Sequence, residues 1–459
     1  MSTNNPTRDM GSGNVRKLLL QLALPAVLGQ IINLLYNIVD RIYIGHIPET
    51  GGAALTGVGL FSPILMLLTA FAMMMGSGGA PLSAISMGKQ DRAHAEKIMA
   101  NCFTVLLIFS AVLTPVLYVF SPDLLQLFGG SETTLPYAVT YSRIYILGSV
   151  FVLIVMGMNA FITAQGFATI GMMTTIIGAL CNIILDPILI FALDMGVAGA
   201  AVATVISQAV SAVWILLFLT GKKTVLRLKL SNMPLHFKTV APCFALGVST
   251  FVMLSTESIL SVSFTNSLFR YGGDVAVGAM TILASLNQLL TMPLSGFCIG
   301  GGPVISYNFG ARNNDRVRDA FFAQFAVCIG YALLFWITLM FVPRFFAQLF
   351  TDNAALIAFT PKAIRVYLAC GFAVGFQISC QQSFVALGQA KVSLLMACLR
   401  KLVLLIPLIF ILPNFFTDQV FAVLLAEPIS DVIAAAVTTV LFLTGFPKIL
   451  ARGPEPRQI

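Results

Sequence analysis

Charge is scarce in this chain. Of 459 residues only 10% are Asp, Glu, Lys or Arg, while 58% are hydrophobic. Soluble domains carry about 25% charged residues, so a water-bathed surface is excluded for most of the length. The mean hydropathy of +0.93 agrees. Histidine occurs only three times, near the ends of apolar runs or in loops, and no GxSxG, HExxH or P-loop motif is present; this argues against an enzyme. The eight cysteines show no CxxC or other metal spacing and all lie in or near apolar runs, as small buried hydrophobes do. No cofactor is expected. The opening fourteen residues are polar, which argues against a cleavable signal peptide and makes the first apolar run its own insertion signal. The formal charge of +8 does not point to nucleic acid, because the basic residues fall in short loops between apolar runs rather than on one face.

What is abundant is long apolar sequence. A bilayer crossing takes about 20 apolar residues, and twelve such spans are expected: 17–45, 53–81, 97–120, 136–162, 168–193, 196–220, 238–268, 275–305, 319–342, 361–387, 391–413 and 419–446. Pro25, Pro187, Pro293, Pro407 and Pro428 are the candidate kinks. The loops alternate in charge. One set, with the two tails, holds Arg8, Arg16, Lys17, Lys89, Arg92, Lys97, Lys222, Lys223, Arg227, Lys229, Lys238, Arg312, Arg316, Arg318, Lys391, Lys448, Arg452 and Arg457; the opposite set holds only Arg270, Arg344 and Lys362. The positive-inside rule puts both termini of this multi-pass membrane protein in the cytoplasm.

The chain is also a tandem repeat with a period of 222. Gly88 matches Gly310, Pro81 matches Pro303, Arg143 and Tyr145 match Arg365 and Tyr367, and Gly166 matches Gly388. Six spans per half return the chain to its starting side, so the halves are parallel repeats. The expected layout is a tail (1–16), a six-helix lobe (17–221), a cytoplasmic linker (222–238), a second six-helix lobe (239–446) and a tail (447–459). The fold class is all-α integral membrane, with twelve helices in two pseudo-symmetric bundles. Two similar bundles facing one cleft are a transporter architecture.

Polar residues inside these spans are the candidate machinery. Asn182 and Asp186 lie four apart, on one helix face, in CNIILDPILIF. A carboxylate at such depth costs roughly 2.5–3.5 kcal/mol on insertion scales, so Asp186 is expected to face a polar interior and to work. In the first span Gln30, Asn33, Asn37 and Asp40 form one stripe, and in the sixth Thr204, Ser207, Gln208 and Ser211 form another. Counted from the outer ends of their spans, Asp40, Asp186 and Thr204 come to a similar depth. Such oxygen ligands suit Na⁺, and two close carboxylates equally suit a shared proton. The bland alternative is that Asp40 pairs with Arg41. The repeat argues for function: Asp40 corresponds to Val262 and Asp186 falls near Ile406–Leu408, so glycines and prolines are kept in both halves and the carboxylates are not. The second half has its own ionisable residues: Glu257, Glu427, Asp431, Arg400 and Lys401. These are read either as internal ion pairs of the two cations with Glu427 or Asp431, or as a cleft wall for cationic ligands. Gln377, Gln381 and Gln382 are candidates to line the same cavity.

With LPAVLGQIINLLYNIVDRIYIG in the first span, the NxxxDP of Asn182–Pro187 and GVAGAAVAT ending at Thr204, the chain resembles the MATE (multidrug and toxic compound extrusion) family of secondary transporters, of the bacterial MepA-like kind. The resemblance covers nearly the whole chain. It implies efflux of organic cations and drugs by Na⁺ or H⁺ antiport, with alternating access of two lobes and a monomer as the working unit. It implies that Asp40, Asn182, Asp186 and Thr204 form the coupling site, with Asn33 and Asn159 in the surrounding network. Glu257 matches an acidic position that some branches use in the second lobe, but the tenth span offers amides and no carboxylate, which favours coupling through the first lobe. The alternative within the same broad superfamily is a flippase for a lipid-linked saccharide, which would want a basic cleft built from Arg41, Arg143, Arg365, Arg400 and Lys401.

Overall fold

The computed structural model describes residues 10–351 and 353–454; Arg8 and Arg457 of the loop-charge pattern lie outside them. Among the described residues every regular element is helical, as a bilayer requires, because a helix satisfies its own backbone hydrogen bonds. In chain order these are α1 (Val15–Gly45), α2 (Gly51–Leu60), α3 (Ser62–Gly88), α4 (Arg92–Leu127), α5 (Leu135–Leu147), α6 (Ser149–Ala164), α7 (Ala168–Pro187), α8 (Gly196–Thr220), α9 (Phe237–Gly310), α10 (Asn314–Phe341), α11 (Pro343–Phe350), α12 (Ala354–Tyr367), α13 (Gly371–Ala386), α14 (Ala390–Cys398), α15 (Ile406–Ile411) and α16 (Gln419–Arg452).

Among the described residues nine helical stretches are long and apolar enough to span a bilayer, and two bent pairs, α5–α6 and α12–α13, bring the number to eleven. One of the nine, α9, has 74 residues, about 110 Å of helix against a hydrocarbon core of ~30 Å. It is broken at Gly273 (φ +61°), and Leu260, Phe264 and Leu268 before the break share a core cluster with Ile282, Leu283 and Leu286 after it. It therefore crosses twice, which makes twelve.

Two sharp bends fall where no proline pointed. Spans 136–162 and 361–387 are each broken, by 58° at Gly148 and by 46° between Tyr367 and Gly371. Gly148 and Cys370, which precede the second helix of each pair, are 222 positions apart. Pro25, Pro293 and Pro428 sit inside continuous helices. Pro187 leads into a π-turn, Ile188–Ala192, and Pro407 follows another, Leu399–Leu405. A proline lacks the N–H that would close the i−4 bond, so a wider turn beside it is a natural accommodation.

Backbone conformation repeats with the sequence. Gln90 (φ +61°) and Arg312 (φ +58°) are 222 apart, as are Gly166 (φ +91°) and Gly388 (φ +71°). The two halves meet along α1, α3 and α9, and the seam keeps the same symmetry. Gly88 packs on the backbone of Tyr307 and Gly310, while Gly310 packs on the backbone of Ile85. Farther along, Gly78 meets Cys243 and Gly300 meets Leu22 and Ala23. No side chain fits at these crossings, so the helices approach to backbone contact. Residues 10–13 lie at this end. Arg316 donates to the carbonyls of Met10, Ser12 and Gly13 at 3.2, 2.9 and 2.7 Å.

The stretch between α8 and α9 has only one short 3₁₀ turn, Leu230–Asn232, yet it is not loose. The buried Gln165 Oε1 accepts from Thr224 Oγ1, Val225 N and Leu226 N at 2.8, 3.0 and 2.8 Å. Lys229 pairs with Glu96 at 2.6 Å.

Candidate ion and substrate site

Three helices build the polar centre of the first half. Asp40 comes from α1, Asn182 and Asp186 from one face of α7, and Thr204 from α8, and all four are buried. Asn182 Nδ2 donates to Asp186 Oδ1 at 3.2 Å and to Thr204 Oγ1 at 3.4 Å. Thr204 Oγ1 in turn donates to the Ala200 carbonyl at 2.9 Å. The Asp40 and Asp186 carboxyl groups lie close enough to interact electrostatically. Oδ1 of Asp40, Oδ2 of Asp186 and Oδ1 of Asn182 have no hydrogen-bond donor among the described residues. Asp40 is not in an ion pair with Arg41, whose side chain is exposed; the ion pairs among the described residues all lie elsewhere. Two carboxylates, an amide oxygen and a hydroxyl with no ion-paired cation among the described residues form a donor set for a small hard cation, or for a proton shared between the carboxyls. Among the described residues no three His, Cys, Asp or Glu side chains gather as a site for a transition metal.

Three tyrosines and a glutamine complete the setting. Tyr36 precedes Asp40 by one helical turn and lies beside Asp40, Asp186 and Gln208. Tyr141 lies near Asp40 and Thr204, and Tyr145 is buried beside Asp40. The tyrosines escape a reading by intramembrane charge. Their signal was positional: Tyr36 and Asp40 are four apart, as are Tyr141 and Tyr145.

The remaining candidates divide. Gln30, Asn33 and Asn159 line a cavity of about 230 Å³ between the halves, to which α9 contributes Cys298 and Ser306 and α13 contributes Gln382. Asn37 instead turns its amide to the Asn33 carbonyl at 2.6 Å. The tenth-span amides do not act together as expected. Gln382 reaches that cavity, whereas Gln377 and Gln381 are buried within the second half, hydrogen-bonded to each other at 2.6 Å, with Gln381 also on Met253 Sδ at 3.0 Å.

The charged residues of the second half are paired. Arg400 bonds Asp431 through Nε at 2.9 Å and through Nη2 at 2.7 Å, and Glu427 at 3.3 Å. Lys401 takes a partner the sequence did not indicate, Glu257, and donates to the Met253 carbonyl at 3.0 Å. A low-dielectric interior makes such pairing necessary for any charge kept there. Arg400 and Lys401 are thus engaged by acids, and Arg143 lies over the Tyr118 ring, so these three do not line a basic cleft.

Two six-span halves around a shared cavity, with a cation-type donor set inside one of them, define a secondary transporter rather than an enzyme. The MatE family model matches residues 25–188 and again residues 248–411, and the chain belongs to this family of multidrug efflux transporters. It is 24% identical to the multidrug export protein MepA of Staphylococcus haemolyticus (strain JCSC1435) over 426 residues, 92% of each chain. It is 24% identical to MepA of Staphylococcus aureus (strain NCTC 8325 / PS 47) over 430 residues, 93% of this chain and 94% of that one. Among solved structures it is similar in fold to a MATE protein in the bent conformation (TM-score 0.91, 22% identity). It is similar also to the outward-facing conformation of a multidrug resistance MATE family transporter of the MOP superfamily (TM-score 0.89, 23% identity). Each alignment covers 98% of this chain and 99% of the other.

Proposed function

We propose that the protein is a multidrug exporter of the bacterial inner membrane that exchanges cationic or amphipathic drugs for Na⁺ or H⁺. Both termini face the cytoplasm, and a single chain is the working unit. The observation that carries this reading is the proximity of Asp40 and Asp186 inside the first half with no ion pair to a cation among the described residues. A transported ion is the natural partner for charge kept at membrane depth. Asn182 and Thr204 orient the pair and add oxygen ligands.

The cycle follows from differential affinity. The ion loads at Asp40 and Asp186 while the cavity faces outward, and its arrival weakens drug binding. The lobes then rock about the glycine seam, the ion leaves to the cytoplasm, and a drug enters from the cytoplasm or inner leaflet. The test uses purified protein in liposomes with a fluorescent organic cation. A Na⁺ gradient and a pH gradient are imposed separately on wild type, Asp40→Asn and Asp186→Asn. Cation movement driven by one gradient and lost in both variants is the expected result. Wild-type transport by Asp186→Asn would sink the proposal.

A further inference from the structure

We infer that a hydrated polar passage along α7 joins the Asp40–Asp186 site to the cavity between the halves, and that the coupling ion enters and leaves through it. The inference rests on the ion-site reading above and adds the route.

Beside the 230 Å³ cavity lies a second one of about 40 Å³, and the two share Asn33, Val155, Met156 and Thr175 as walls. The smaller one reaches Asn182 and Thr204. A water needs about 10–15 Å³ of such space, so this chamber takes water or a bare ion and is far too small for a drug. On α7 the line Gly171, Thr175, Gly178, Asn182, Asp186 follows spacings of four, three, four and four, one face of one helix. Its first two members border the large cavity, its middle members border the small one, and its end is the ion site. The glycines keep the route narrow but open. A Cβ at Gly178 would stand 2.6 Å from Ser211 Oγ, and one at Gly171 would stand 3.2 Å from Asn159 Oδ1.

The chemistry of the wall gives the sign of what passes. The hydroxyls of Thr174, Ser207 and Ser211 each donate to a backbone carbonyl, of Ile170, Ala203 and Thr174 respectively. Their protons are spent, and the lone pairs are what remain. Oδ1 of Asn159, Oδ1 of Asn182 and Oε1 of Gln208 have no donor among the described residues. From one cavity to the other the wall therefore offers a row of free acceptors, beside the hydroxyls of Tyr36 and Thr175 and the amide groups of Asn33 and Gln208. A row of buried acceptors is satisfied by water and by cations, and repels anions. A ligand in the large cavity would sit over the mouth at Asn33 and Thr175, so drug and ion would not exchange at the same time. Exclusion of that kind is a physical basis for antiport.

The experiment plugs the passage without touching the carboxylates. Full-length wild type, Thr175→Leu, Ser207→Leu and Asp186→Asn are reconstituted in liposomes. Drug-free exchange of ²²Na⁺, or of protons read by an internal pH dye, is timed. Equilibrium binding of the same ion and of tetraphenylphosphonium is measured in detergent. The expected result is exchange slowed about tenfold or more in both leucine variants, with equilibrium ion binding within about twofold of wild type in both and tetraphenylphosphonium binding within about twofold in Ser207→Leu, which does not border the large cavity. Wild-type exchange rates in the leucine variants would overturn the passage while leaving the ion site standing, provided Asp186→Asn abolishes exchange. Loss of equilibrium ion binding in the leucine variants would also overturn it, by making those residues part of the site. Unchanged exchange in Asp186→Asn would remove the ion site and the passage together.

Discussion

Gly88 and Gly310, one from each half and 222 positions apart, cross at the seam so closely that a Cβ on Gly88 would lie 3.0 Å from the Gly310 Cα. The same added atom would press on the Tyr307 carbonyl, and its counterpart on Gly310 would press on the Ile85 carbonyl. The obstacle in each case is backbone, which cannot rotate aside. The lobes close at this end because both positions lack a side chain.

Gly310→Val is therefore expected to hold the seam apart. Overpacking costs about 1–3 kcal/mol, enough to lower the share of the closed state roughly tenfold. Cys102 and Cys243 are fully buried near this seam. In the variant they should label with maleimide faster than in wild type, read by mass spectrometry, while drug efflux falls. Unchanged labelling would mean that the seam tolerates the valine.

Asn182→Leu removes the one side chain that ties Asp186 to Thr204. Insertion and expression are expected to stay near wild type, whereas gradient-driven efflux falls by about tenfold or more, the loss of one charge-assisted hydrogen bond being worth about 1.5–3 kcal/mol. Efflux assays beside a fluorescence size-exclusion profile separate the two effects.

Among the described residues, Arg400 is the only cation bonded to both Glu427 and Asp431. Arg400→Met leaves two buried acids without it, and breaking a buried pair in this way costs about 3–5 kcal/mol. Thermal unfolding in detergent should show a large drop. Lys401→Met should cost less, because its partner Glu257 has a side chain 46% exposed. Equal losses in the two variants would contradict the difference in burial.

Gln165→Leu strips three donors in the 224–226 segment of their common acceptor. With buried unsatisfied groups costing about 1–3 kcal/mol each, the variant is expected to melt lower and to be cleaved by protease between α8 and α9. Protection equal to wild type would show that the segment is held by other contacts.

The sequence alone determined the membrane class and the tandem repeat, and it singled out the candidate ion-site residues. Each of these is a local or periodic property. Apolar length reports bilayer thickness, a 222-residue offset reports duplication, and a carboxylate in an apolar span is costly wherever it points. The tertiary structure decided what depends on which helices meet. It separated Gln382 from Gln377 and Gln381, although all three lie within six positions on one helix, because only one face of α13 reaches the central cavity. It gave Lys401 to Glu257 rather than to the acids of α16, since adjacent side chains on a helix diverge by about 100°. It put sharp bends at Gly148 and Cys370, where no proline pointed. It also brought Tyr36 and Tyr141 to the carboxylates, a meeting that neither hydropathy nor charge could reveal, because an apolar ring with one hydroxyl looks like core until its neighbours are known.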